Sequence, residues 1–101
     1  MTEGRDGGSM IEREDGPSGG VYRMQLDGQA AEMTFSRAGE RLIIIDHTDM
    51  PAALRGRGVG ESLVRHAVEE ARRAGTKIFP LCPFAAAQFR KHPEFQDVLS
   101  K

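Results

Sequence analysis

The chain has 101 residues, enough for one small domain, and its 14 basic residues against 15 acidic ones leave a net charge of −1. That balance argues against nucleic-acid binding through a generally basic surface, and no apolar run reaches the ~18 residues that cross a membrane. A single cysteine makes no internal disulfide, so a reducing, cytoplasmic setting is expected. Residues 1–20 hold six of the twelve glycines and seven charged residues, with few aliphatic side chains among them. Such a segment buries too little surface to offset its ordering entropy, so a flexible leader is expected over 1–20, ahead of a domain over 21–101.

From Val21 the pattern changes. Residues 21–26 alternate, Asp27-Gly28 gives a turn signal, and residues 31–36 alternate again, which together predict an antiparallel hairpin. A second turn at 38–40 leads into residues 41–47, where Leu42, Ile43, Ile44 and Ile45 are consecutive. Four apolar residues in a row predict a strand covered on both faces, at the centre of the sheet. A helix is expected over 58–74, its apolar stripe made by Val59, Leu63, Ala67, Val68 and Ala71, with Gly75 as a left-handed C-cap. Residues 76–81 read as a strand parallel to 41–47 through a right-handed crossover, and Pro80 should end the pairing early. The resulting wedge between two parallel strands opens beneath the segment that precedes the long helix. A last helix is expected from Pro83 to Lys91, stopped by Pro93.

The segment ahead of the long helix is Leu54-Arg55-Gly56-Arg57-Gly58-Val59-Gly60. Its glycines leave backbone N–H groups uncovered at a helix N-terminus flanked by two arginines, which is a site for a phosphate-bearing ligand. It is neither G-x-G-x-x-G nor a P-loop, since Glu61 follows Gly60 where Lys-Ser/Thr would be needed. The spacing Arg55, Gly58, Gly60 resembles the pyrophosphate loop of the GNAT acetyltransferase superfamily. A small single-domain subgroup of that superfamily is the nearer likeness, through His47-Thr48, Pro51, the loop itself and Leu81-Cys82-Pro83-Phe84.

The resemblance implies an α+β GNAT-like fold: an antiparallel meander followed by a parallel strand–helix–strand unit, without the usual N-terminal GNAT elements. It implies acetyl-CoA as cofactor, with the diphosphate held by Arg55, Gly56, Arg57, Gly58, Val59 and Gly60. The pantetheine amides are then expected on the main chain of Ile44, Ile45, Asp46 and His47. An N-acetyltransferase acting on a protein, peptide or small-molecule amine is the implied activity, in a monomer or weak dimer.

Many GNAT enzymes use a tyrosine to protonate the departing thiolate, but Tyr22 is the only tyrosine and lies far from the expected site. Cys82 is the substitute: a helix begins at Pro83, its dipole favours a thiolate, and in the resembling subgroup this cysteine serves as proton relay or acyl carrier. A small buried apolar cysteine is the alternative. His47 is the second catalytic candidate, since strict alternation places it on one face with Ile43 and Ile45. Asp46 and Asp49 lie beside it, whereas His66 and His92 read as structural. No two histidines or acids have metal-ligand spacing, so no metal is expected. The alternative to an enzyme is a non-catalytic CoA- or acyl-CoA-binding module, favoured by the missing tyrosine. RNA contact through Arg-Gly-Arg-Gly is weaker, because no aromatic residues are interleaved with it.

Overall fold

The computed structural model describes residues 11–100. Five strands, β1 (Ile11–Asp15), β2 (Gly19–Leu26), β3 (Gln29–Arg37), β4 (Leu42–Asp49) and β5 (Lys77–Pro80), form one sheet in the order β1-β2-β3-β4-β5. Neighbours are antiparallel except β4 and β5, which are parallel and joined by the crossover helix α1 (Val59–Ala74). A second helix, α2 (Pro83–Lys91), and a 3-10 turn (Pro93–Val98) complete the chain order. The α+β architecture and the meander-plus-crossover topology are as the sequence implies.

Cross-strand partners share a face. Tyr22, Met33, Phe35, Ile45 and Ile78 point to one side and are buried in a single cluster with Leu63, Val64, Ala67 and Val68 of α1 and Phe89 of α2. The opposite side carries Arg23, Glu32, Thr34, Ser36 and Ile44, and there Phe79 is 41% exposed. The expectation that 41–47 is a central strand covered on both faces is therefore corrected. β4 is fourth of five, and its isoleucine run is covered on one side only.

The flexible leader is corrected for residues 11–20; residues 1–10 lie outside the described residues. Strand β1 pairs in register with β2, from Ile11 opposite Met24 to Asp15 opposite Gly20. Its charges, which signalled disorder, are tied down by partners. Arg13 reaches Asp15 at 3.0 Å and Glu70 of α1 at 2.7 Å, and its guanidinium lies over the Phe35 ring. Arg37 holds Asp15 at 2.7 Å. Gly20 is a packing residue, because a Cβ there would meet the Phe35 ring at 2.8 Å.

The turn between β2 and β3 has both central residues left-handed, Asp27 at φ 53° and Gly28 at φ 75°, the geometry of a two-residue hairpin. Helix α1 starts after Gly58 and ends at Gly75, both left-handed, so the capping glycine read from the sequence is in place.

Candidate functional site

Four features converge at one end of the sheet. The first is the segment before α1. A 3-10 turn (Ala52–Leu54) buries Leu54, and the chain then passes through Gly56 at φ 78° and Gly58 at φ 77°. In both places a side chain is strained by its own backbone, since nothing within 4 Å would obstruct a Cβ. Gly58 is the N-cap of α1 and offers no capping side chain, so the first amides of the helix keep their hydrogen-bonding capacity. Gly60 is small for a different reason. A Cβ there would lie 2.7 Å from the Phe84 ring of α2.

The second feature is the end of β4. Pairing between β4 and β5 stops at Ile45 opposite Pro80, and Cys82 N donates the last bond to Ile45 O at 2.9 Å. Asp46 through Asp49 run on without a β5 partner, so the wedge expected from Pro80 is present. Ile44 and Ile45, expected to face the ligand arm, are instead within the paired stretch. The open main chain begins at Asp46.

The third feature is a β-bulge in β4. Phe35 pairs with Ile45, yet Thr34 pairs with His47, so Asp46 is an extra residue. Strict alternation fails at this point. His47 shares the open face with Thr34 and is exposed, whereas Thr48 pairs with buried Met33 and turns inward. The placement of His47 beside Ile43 and Ile45 is corrected, and Thr48 stands where His47 was expected.

The fourth feature is Cys82, the N-cap of α2 and 5% exposed. Its Sγ lies 3.5 Å from Thr48 Oγ1. Burial pushes the thiol up, but the Thr48 hydroxyl and the backbone N–H groups of Ala85, Phe84 and Thr48 outweigh it. The net result is a thiol below its ordinary range, which suits the start of a helix.

A cavity of about 670 Å³ connects these parts. Thr48 and Met50 line its sheet end, Arg55 through Gly60 its middle apart from Arg57, and Phe84, Gln88 and Lys91 of α2 its outer wall. Its size is within the ~300–1,000 Å³ of small-molecule sites. Cys82 is behind this lining, screened by Thr48. Arg57 is turned away and binds Asp27 in the β2–β3 turn at 2.6 Å, so Arg55 is the loop cation that faces the cavity.

Tyr22 does not line this cavity, and its environment is structural. The phenol donates to Glu70 at 2.9 Å, and burial followed by the Glu70 carboxylate pushes its pKa upward. Burial pushes Glu70 up, but hydrogen bonds from Arg13 and Tyr22 and the charge of His66 outweigh it, so its carboxyl titrates below its ordinary range. His66 stays structural, with Nε2 at 3.1 Å from Glu70. Tyr22→Phe is therefore expected to cost about 1–2 kcal/mol in urea denaturation at neutral pH while leaving coenzyme binding unchanged. Glu70 has a depressed folded-state pKa, so its contribution is complete above the unfolded value of 4.5 and is lost as pH falls through the folded value. The gap between wild type and variant should narrow on acidification over that window.

His92 caps α2, stacks at 4.8 Å on Phe95 and has Nδ1 at 3.3 Å from Glu94. Its Nε2 is 3.2 Å from a Glu61 oxygen but off the line a hydrogen bond needs. The Phe95 and Glu94 contacts tie the end of α2 to the 3-10 turn, and the Glu61 contact is the one that reaches α1. Thr48, Met50, Leu54, Glu61, Phe84, Gln88 and Lys91 line the cavity without having been expected as site residues. Phe84, Gln88 and Lys91 follow i, i+4, i+7 spacing on α2, a signal that could have marked one helix face.

Residues 21–98 match the family model described as GCN5-related N-acetyl-transferase. The chain therefore belongs to the GCN5-related N-acetyltransferase family. A GCN5-like candidate N-acetyltransferase from Staphylococcus aureus, solved by NMR in solution, is similar at 33% identity and a TM-score of 0.69. The match covers 91% of this chain and 90% of that one. No curated protein gives a sequence match. Among the described residues no helix is long and apolar enough to cross a membrane.

Proposed function

We propose that this protein is an acetyl-CoA-dependent N-acetyltransferase acting on an amine. The observation that carries the reading is the pairing of an open β4 main chain with a glycine-lined helix start on one cavity. The amides of Arg55 and Arg57 bond Ala52 O and Leu54 O, so the loop fits a diphosphate through the amides of Gly56 and Gly58 and those that start α1, with left-handed glycines and one inward cation. The main chain from Asp46 to Asp49, in place of Ile44 and Ile45, is the segment open to the amides of a pantetheine arm. When bound, acetyl-CoA supplies an acyl thioester and a thiolate leaving group.

The chain's own contribution is a proton held at the inner end of the cavity. Cys82 Sγ, shielded from solvent, keeps it within reach of the hydroxyl of Thr48, a residue of the cavity lining. A thiol acid below its ordinary range is a better donor than an unperturbed one, and it is matched to a sulfur leaving group. The hydroxyl passes a proton outward as it receives one from Sγ, and Sγ regains it from the acceptor's ammonium by the reverse path through Thr48. No tyrosine is needed at this end. We assign His47, exposed on the open sheet face beside Asp46, to the acceptor side rather than to the thiol.

A binding module without turnover is the second reading, favoured by the burial of Cys82 and by the absence of Tyr22 from the site. Incubation with acetyl-CoA and a panel of primary amines separates the two. Amine-dependent release of free CoA thiol is expected. Saturable CoA binding with no amine-dependent release would leave the binding module standing. Intact-mass measurement in the same reaction reads any acetyl group left on Cys82.

A further inference from the structure

The wall of the cavity that belongs to α2 has no role in the reading above. Phe84, Gln88 and Lys91 share one face of that helix, and seven residues at 1.5 Å each spread them over about 10 Å. Phe84 touches the loop at Gly60, so Gln88 and Lys91 extend the wall outward, away from the thiol.

Two observations on this wall ask for a ligand. Gln88 Oε1 is buried and has no hydrogen-bond partner among the described residues. Such an acceptor is costly to leave unmade, and its terminal torsion is soft enough to present either amide atom to the cavity. Lys91 is exposed, and no ion pair to it is made among the described residues. With Arg57 committed to Asp27, Arg55 and Lys91 are the two cations that line the cavity, one on the loop and one on α2. The one carboxylate in the lining, Glu61, is drawn aside by Arg65 at 3.4 Å and His92 at 3.2 Å.

Two separated cations on one cavity match a ligand with two separated phosphate groups. We propose that Gln88 and Lys91 form a subsite for the 3′-phosphorylated adenosine end of the coenzyme. This rests on the coenzyme A reading and deepens it. Lys91 Nζ pairs with the 3′-phosphate, whose charge of about −1.5 to −2 leaves it the ligand's most demanding group outside the diphosphate. Gln88 meets the edge of the base through its side-chain amide. Arg55 and the loop amides remain with the diphosphate, a ribose away.

The test is calorimetric titration of the full chain with CoA and with 3′-dephospho-CoA, without turnover. Wild type is expected to prefer CoA by about fivefold, the upper end of what an exposed ion pair supplies. Lys91→Gln should abolish that preference by weakening CoA alone, and Lys91→Arg should keep it. Gln88→Leu should weaken both ligands alike, because the base is common to them. A wild-type ratio near one, or a ratio unchanged in K91Q, overturns the subsite while leaving the coenzyme reading intact. Failure of both ligands to bind wild type overturns the coenzyme reading and the subsite with it.

Discussion

Replacing Cys82 with alanine is expected to lower acetyl transfer by about a hundredfold or more and to leave CoA affinity within about twofold of wild type. The first half follows from the proton that Sγ holds for Thr48, and the second from its position behind the cavity lining. Stability should change by only ~1 kcal/mol, because one buried sulfur is lost from a site that alanine also fits. Steady-state thiol release, CoA titration and urea denaturation of the same preparation check the three statements together. Unchanged turnover in C82A would reduce the cysteine to a packing residue. Thr48→Val gives an independent reading. The Thr48 hydroxyl is one of the groups holding the thiol low, so its loss should move the alkylation rate of Cys82 to higher pH, and Thr48→Ser should restore it.

The second large effect is expected from Gly58→Val. A β-branched residue at φ 77° is outside its comfortable range and costs about 1–2 kcal/mol if the backbone holds its shape. The chain relieves that strain by turning the peptide, which withdraws the amides ahead of α1 from the cavity. Hydrogen bonds to a charged diphosphate contribute about 1.5–3 kcal/mol each, so CoA affinity should fall at least ~10-fold. Gly39→Val is the matched control. Gly39 has φ 84° and equally open surroundings, but it lies in the β3–β4 turn, away from the cavity. It should show a similar stability loss with normal CoA binding. Equal affinity in both variants would remove the loop from the binding site.

Much of this architecture can be read from the chain without coordinates. The Asp27-Gly28 hairpin, the α1 stripe, the Gly75 cap and the early end of β5 at Pro80 each rest on local rules, and each is present as read. What escaped reading depends on partners distant in sequence. Charge density over residues 11–15 resembles a solvated tail until Glu70 and Phe35, on other elements, are brought against Arg13. The isoleucine run in β4 has the composition of a doubly covered strand, yet the buried cluster, including Ile45, forms against a single face of the sheet. Arg57 beside its glycines looks like a phosphate ligand, and only the folded hairpin turn supplies Asp27 to claim it. Thr48 escaped because alternation was carried straight through Asp46, and no composition signal announces where a strand takes in a surplus residue.

That surplus residue separates two properties of β4. A strand one position shorter, with Asp46 excised, would keep Ile45 opposite Phe35 and His47 opposite Thr34, and Thr48 would still look toward the sulfur. It would also lie flat, since the kink that bends the strand would be gone. The order of side chains along this segment is therefore set without Asp46. Curvature at this end of β4, added to the early stop of β5 at Pro80, is what the additional peptide unit contributes.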